Sequence, residues 1–266
     1  MKLPVKLPTF HPRRRAVPLA QRSGTIRIEG VTKAFRGNEV LRGVDLEVAK
    51  GESLVIIGKS GGGKSVLLKL LIGLIRPDSG KIFVDDVELT AMTKRELYEM
   101  RKRFGMLFQG SALFDSMTVG ENVAIALREH TRKSEKVIQK IVHDTLANVG
   151  LDNVEQLKPA ALSGGMKKRV ALARALAMDP DFMLYDEPTT GLDPLTGDVI
   201  NDLIVSLREQ YDVTSIAVTH DMKSAFKIAD SIAMIHEGRI IFRGSVEETQ
   251  NTDNEIVRNF VTGGDG

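Results

Sequence analysis

The sequence predicts an α/β fold with a helical insertion, and three observations carry that reading. A short apolar run, Ser53–Ile57, feeds directly into a glycine-rich loop and then an amphipathic stretch. Strand-like runs return after Pro180, at residues 182–185, 215–219 and 231–235. Between these regions, roughly 65 residues (111–177) carry helical patterns and few strand signals.

Taken in order, residues 25–30 and 40–48 alternate as half-buried strands do, with a turn at 36–38. After the run Ser53–Ile57, residues 65–74 read as a helix with Val66, Leu67, Leu70 and Leu71 on its buried side. A turn at 77–80, a strand at 81–84, a turn at Asp85 and Asp86 and a strand at 104–108 follow. Inside the insertion the helical patterns are 136–149 and 166–177. The strand at 231–235 pairs across Glu237 and Gly238 with residues 239–242. No internal repeat is present, so the chain carries one copy of its unit.

Of 266 residues, 42% are hydrophobic and 27% charged, a balance that suits a globular core. Lysine and arginine total 37 against 35 acids, for a formal charge of +2. Residues 1–24 hold Lys2, Lys6, Arg13, Arg14, Arg15 and Arg22 with no acid, so the remaining chain sums to −4 (+2 less 6). That remainder has no basic excess of the kind nucleic-acid binding needs. The segment 1–24 reads either as a passive flexible tail or as a weak attractor of anionic lipid head groups. There are no cysteines, which excludes thiolate chemistry and disulfides. The apolar runs are strand-sized, short of the ~20 residues a membrane helix needs, and no apolar segment of a secretory signal follows the N-terminal charges.

Residues 58–65 fit the phosphate-binding pattern G-x-x-x-x-G-K-[ST]. Gly58, Ser60, Gly61, Gly62 and Gly63 supply a loop whose backbone N–H groups can curl around a phosphate, and the helix that follows points its positive end at the same anion. Lys64 can reach the β- and γ-phosphates of ATP, and the Ser65 hydroxyl can bind Mg2+. The preceding strand and following helix are the context that separates this loop from a flexible glycine linker. Lys59 is given no role.

Asp186 and Glu187 end the apolar run 182–185, where open α/β sheets bind ligands. Asp186 is then expected at the metal, and Glu187 at the attacking water. Alone, two acids there would read as solvated turn residues; beside a phosphate loop they read as catalytic. His220 follows the run 215–219 and can bridge the γ-phosphate and a carboxylate. His11, His130, His143 and His236 lack such a setting and are expected at the surface. Ser163, Gly164 and Gly165 open a further helix as a second anion-binding nest. One nucleotide does not need two nests from one chain, so a second copy of the chain is expected to face the first across a shared ATP.

With these residues in this order, the sequence resembles the ATP-binding-cassette (ABC) ATPases from Thr25 to about Gly244. The resemblance implies a P-loop NTPase with a RecA-like core, an N-terminal antiparallel β region and an inserted helical subdomain. It implies that Phe35 stacks on adenine and that Gln109, in the Q-loop, serves both catalysis and the Mg2+ shell. It also implies that Ser163–Met166 is the signature motif, Asp193 the D-loop residue and His220 the switch histidine. Ser163 and Gly165 of one copy would then contact the γ-phosphate held by another in a head-to-tail dimer. The signature usually ends in Gln, and here Met166 stands in that place.

Residues 101–104 (RKRF), 106–119 (MLFQGSALFDSMTV), 127–131 (LREHT), 162–166 and 258–260 (RNF) are similar to the ATPases of MCE-type phospholipid transporters of Gram-negative bacteria, the Mla system and its toluene-tolerance relatives. That similarity implies a peripheral subunit at the cytoplasmic face of the inner membrane. Its partners would be an integral-membrane permease, an MCE-type lipid-binding subunit and, optionally, a small regulatory subunit, with no nucleic acid. Leu113, Phe114 and Met117 are read in two ways: as a groove for a permease helix, or as ordinary packing. The implied layout is a cassette over 25–250, helical at about 111–177, and a C-terminal extension over 251–266. A cassette for another solute, or a soluble DNA- or ribosome-acting cassette, is the alternative.

Overall fold

The structure is a computed structural model and describes residues 24–263. The basic segment assigned to 1–24 therefore lies outside the described residues, apart from Gly24. Two sheets organise the chain. Strands β1 (Ile26–Phe35), β2 (Asn38–Val48), β4 (Ser79–Val84) and β5 (Val87–Glu88) form an antiparallel sheet in the order β2-β1-β4-β5. β1 continues five residues past the expected end at Gly30. Gly30 adopts φ 55°, and the pairing shifts register between Ile28 and Val31, so the strand bends at this glycine instead of stopping.

The second sheet has the order β10-β9-β3-β8-β7-β6, from β3 (Ser53–Ile57), β6 (Phe104–Leu107), β7 (Phe182–Asp186), β8 (Thr214–Thr219), β9 (Ser231–His236) and β10 (Arg239–Ser245). All neighbours are parallel except β9 and β10. β3, β7 and β8 are buried at every residue, which is why they read as continuous apolar runs rather than alternating ones. Alternation survives in which face each residue serves. Leu54, Ile56, Phe182, Leu184, Ile216 and Val218 pack with the antiparallel sheet and α1 (Lys64–Leu71). Val55, Ile57, Met183, Tyr185 and Ala217 face the helices on the other side.

α1 stops short of the expected Leu74. Gly73 at φ 61° accepts the left-handed turn, and the N–H groups of Gly73 and Leu74 return to Leu70 and Lys69 at 2.9 Å each, closing the helix end. Leu68 joins Leu67, Leu70 and Leu71 in the buried set, whereas Val66 is only half-buried. α2 (Lys94–Arg101), outside the expected elements, and α3 (Val119–His130), inside the expected helical stretch 111–177, each start with a capping box, on Thr93 and Thr118. Between β6 and β7 the chain runs through α3, α4 (Glu135–Asn148) and α5 (Gly164–Leu176). α6 (Pro194–Tyr211) and α7 (Met222–Ile228) complete the helical layer, followed by α8 (Val246–Gln250) and α9 (Glu255–Val261), whose Val257 is buried against the same core. Arg103 joins the sheets: its guanidinium donates to Asp181 at 2.7 Å and pairs with Asp85 at the turn after β4.

Candidate active site

Three neighbouring strands of the mainly parallel sheet end at one place. β3 leads into the loop at 58–63, β7 delivers Asp186 and Glu187, and β8, lying between them, delivers His220. A pocket of about 380 Å³ beside a second one of about 290 Å³ marks this edge. The smaller is lined by Ser60, Gly61, Gly63, Lys64, Ser65, Val66, Gln109, Glu187 and His220. The loop shape depends on Gly63, the residue before α1. It sits at φ 98°, and a Cβ there would lie 2.7 Å from Leu41 Cδ2, so only glycine fits.

The polar groups meet in pairs. Ser65 Oγ donates to Asp186 Oδ1 at 2.7 Å, joining the loop to the end of β7. His220 Nδ1 stands 3.0 and 3.1 Å from the two Glu187 carboxylate oxygens. A carboxylate only accepts, so this contact is attractive when Nδ1 carries a proton, which leaves Nε2 as the ring's other polar edge. Thr190 Oγ1 donates to Glu187 Oε2 at 3.0 Å, and Thr219 Oγ1 does so at 3.4 Å. Glu187 itself adopts φ 49°, a strained conformation for a non-glycine residue at a strand end.

Lys64 Nζ donates to the carbonyl oxygens of Gly58 (2.5 Å) and Lys59 (3.0 Å). Its burial pushes the ammonium pKa down, and the charges of Glu187 and Asp186 oppose that shift. A second buried lysine, Lys168 on α5, was not singled out in the sequence. Its Nζ donates to the Gln109 carbonyl at 2.6 Å and the Glu187 carbonyl at 3.3 Å. Burial lowers its pKa too, again against Asp186 and Glu187. Two buried cations thus face two buried carboxylates, the arrangement that makes such burial tolerable. The run Lys167–Lys168–Arg169 looks like a solvated charge cluster, yet Lys168 shares a helical stripe with buried Gly165, Leu172 and Leu176.

Other expected site residues are placed differently. Phe35 is 43% exposed at the end of β1, with Lys33 Nζ 5.4 Å from its ring centre, outside the set that lines the phosphate-loop pocket. Ser163, Gly164 and Gly165 are outside it as well. Ser163 caps α5 through Met166 N–H, and a Cβ on Gly165 would come within 2.5 Å of Thr196 Cγ2, so the first turn of α5 lies tight against the start of α6. Asp193 caps α6, accepting from the N–H groups of Leu195 and Thr196 at 3.1 and 3.0 Å, and lines the larger pocket with His220. Hydrogen bonding to Thr196 holds its carboxyl below the usual range.

Of the other histidines, His143 is exposed and bonded to Glu155, and His130 and His236 are half-buried; His11 lies outside the described residues. His130 Nδ1 meets the Tyr98 hydroxyl at 2.7 Å because α2 and α3 flank a groove of about 660 Å³. Phe114, 49% exposed, lines that groove, whereas Leu113 packs on the core and Met117 is half-buried outside the lining. Asn122, buried at the start of α3, holds Phe114 in place by accepting its N–H at 2.8 Å and donating to its carbonyl at 3.1 Å. Among the described residues no helix is long and apolar enough to cross a membrane.

Residues 41–190 match the family described as ABC transporter. The chain is 41% identical over 260 residues to the probable ribonucleotide transport ATP-binding protein mkl of Mycobacterium tuberculosis, covering 96% of this chain and 72% of that one. It is 43% identical over 229 residues to the intermembrane phospholipid transport system ATP-binding protein MlaF of Haemophilus influenzae, covering 86% and 87%. Its fold superposes with TM-score 0.77 and 31% identity on the dimeric post-hydrolysis structure of the ATP-binding cassette MJ0796 bound to ADP and Pi, covering 83% of this chain and 98% of that one. The fold on which the loop at 58–65, the paired acids and His220 meet is thus a known one, and the chain belongs to the ABC transporter family.

Proposed function

We propose that this chain is the ATP-hydrolysing subunit of a membrane transporter that moves phospholipid, acting as a head-to-tail pair around two ATP. The observation that carries the catalytic part is the convergence of Lys64, Ser65, Asp186, Glu187 and His220 on one pocket edge. In this reading the loop N–H groups and Lys64 hold the phosphates. Glu187 takes the proton of the attacking water, and His220 keeps that carboxylate oriented while its other nitrogen faces the γ-phosphate.

Ser65 and Asp186 offer Mg2+ a hydroxyl and one carboxylate, hard oxygen donors beside a phosphate cradle, which is the donor set this ion uses. Among the described residues no group of three or more His, Cys, Asp or Glu is arranged to hold a metal ion by itself, and the cation is assigned to a shell shared with the nucleotide. When bound it would neutralise charge on the β- and γ-phosphates. Gln109, an exposed residue that lines the pocket, is assigned to the same shell. Phe35 is assigned to adenine, on the strength of its exposed ring. Ser163, Gly164 and Gly165 are assigned to the nucleotide of a second copy, since their place outside this pocket leaves them facing elsewhere.

A permease is the proposed partner at the groove between α2 and α3, with an MCE-type subunit beyond it and the whole assembly peripheral at the cytoplasmic face of a bacterial inner membrane. The MlaF-type relative supports phospholipid as cargo. The mkl relative supports a second reading, ribonucleotide transport. The two separate when the chain is purified with its native membrane partners and the bound small molecules are identified by mass spectrometry. Phospholipid bound to the partners is the expected result; nucleotides recovered from the partners, with no phospholipid, would sink the lipid assignment.

A further inference from the structure

The helix opened by the signature holds the Q-loop at three points. Besides the bond from Lys168 to the Gln109 carbonyl, Arg174 of the same helix donates to the carbonyls of Ala112 (2.5 Å) and Ser111 (2.9 Å). Ser111 and Ala112 are consecutive non-glycine residues at φ 62° and 48°, a backbone that is unfavourable unless its surroundings hold it. Lys168 adds a contact that Arg174 lacks: its 3.3 Å bond to the carbonyl of Glu187, itself at φ 49°. Lys168 is 3% exposed, so solvent is a poor substitute for these carbonyls and loss of either leaves a buried charge with fewer partners.

We propose that Lys168 is a positioning residue that links the orientation of α5 to the Q-loop and to Glu187 in the same chain. The proposal rests on the catalytic assignment of Glu187 made above. α5 is one rigid helix. Its first turn carries Ser163–Gly165, assigned to the nucleotide of a second copy, and one turn later it carries Lys168, which holds the base serving this chain's own nucleotide. A tilt of α5 on engaging the partner's ATP therefore moves Lys168 and, through its bonds of 2.6 and 3.3 Å, both Gln109 and the carbonyl of Glu187. The lysine touches neither substrate nor reacting atoms. It reports the filling of one site to the base of the other.

The test compares Lys168→Met and Lys168→Arg in the full chain, by steady-state ATPase kinetics, binding of a fluorescent ATP analogue and thermal melting. Methionine keeps the aliphatic stem and removes the donors, so kcat is expected to fall about tenfold to a hundredfold, the range expected for a lost charge-assisted hydrogen bond. Analogue affinity should stay within about twofold, and the Hill coefficient for ATP should drop towards 1. Arginine retains donors at similar reach and should recover most of both kcat and cooperativity. Wild-type kcat and Hill coefficient in a folded Met variant would overturn the proposal, as would lost analogue binding that accounts for the whole defect. If the Met variant does not fold, Lys168→Gln decides the matter: its shorter arm cannot span both carbonyls, and unaltered kcat and cooperativity would overturn it equally. Failure of the catalytic assignment looks different, because Glu187→Gln would then hydrolyse ATP normally whatever Lys168 does.

Discussion

At the scale of single residues, the acids at the end of β7 divide their work by their neighbours. Asp186 is tied to Ser65, whereas Glu187 is surrounded by His220, Thr190 and Thr219. Removing the Glu187 charge while keeping its shape should leave phosphate binding intact and remove the base. Glu187→Gln is expected to bind ATP, to lose at least about a hundredfold in turnover and to accumulate a closed dimer, measured by phosphate release and by size-exclusion chromatography with ATP. The chemistry at this scale was the most legible in the sequence, because spacing alone states which backbone groups and side chains meet a phosphate. Lys168 was not legible. Its neighbours Lys167 and Arg169 disguise it, and only its place on the stripe with Leu172 and Leu176 hints that it points inward.

At the scale of elements, strands were easier to read than helices. β3, β7 and β8 are covered on both faces, and continuous apolar runs advertise that. Helices α2, α3 and α8 start at Thr93, Thr118 and Ser245, each followed three residues on by glutamate, a capping signal that marks a start without stating the length of the helix. The early end of α1 depends on Gly73, whose glycine signal inside an apolar pattern is weaker than its bonding in the fold. The α3–α4 connection offers a test of its own. Arg128, in the last turn of α3, and Gln139 hold the Glu135 carboxyl down to about pKa 2 from an ordinary 4.5, Arg128 being the larger cause. A depressed carboxyl pKa stabilises the folded chain above the unfolded value and ceases to do so as pH falls through the folded one. Glu135→Gln should therefore lower Tm slightly at pH 7, the difference shrinking from about pH 4.5 and vanishing near pH 2, measured by thermal melts across that range. The solvent exposure of both groups keeps the effect small.

At the scale of the whole molecule, the groove between α2 and α3 is where the assignment of a membrane partner is exposed to test. Phe114 presents an apolar face there, fixed from behind by Asn122, so a charge would alter the surface without entering the core. Phe114→Asp is expected to retain ATP-analogue affinity and melting temperature within error and to lose co-purification with the membrane partner. Unchanged co-purification would return Phe114 to ordinary packing. The sequence had offered Leu113, Phe114 and Met117 without choosing among them. The choice depends on how the segment after β6 turns back over α3, and no local pattern encodes that.

The order of the strands has a further consequence. β8 lies between β3 and β7, so the phosphate loop and the paired acids are two strand spacings apart, with His220 at the midpoint. Each spacing is set by the pitch of peptide hydrogen bonds, about 4.8 Å, and so the site has a width of roughly 10 Å that no side chain determines. The backbone acts as a ruler. Core residues can be exchanged for others of similar volume, and loops at the opposite edge lengthened, without changing the distance the nucleotide has to bridge. What the ruler cannot tolerate is a change in which strands are neighbours.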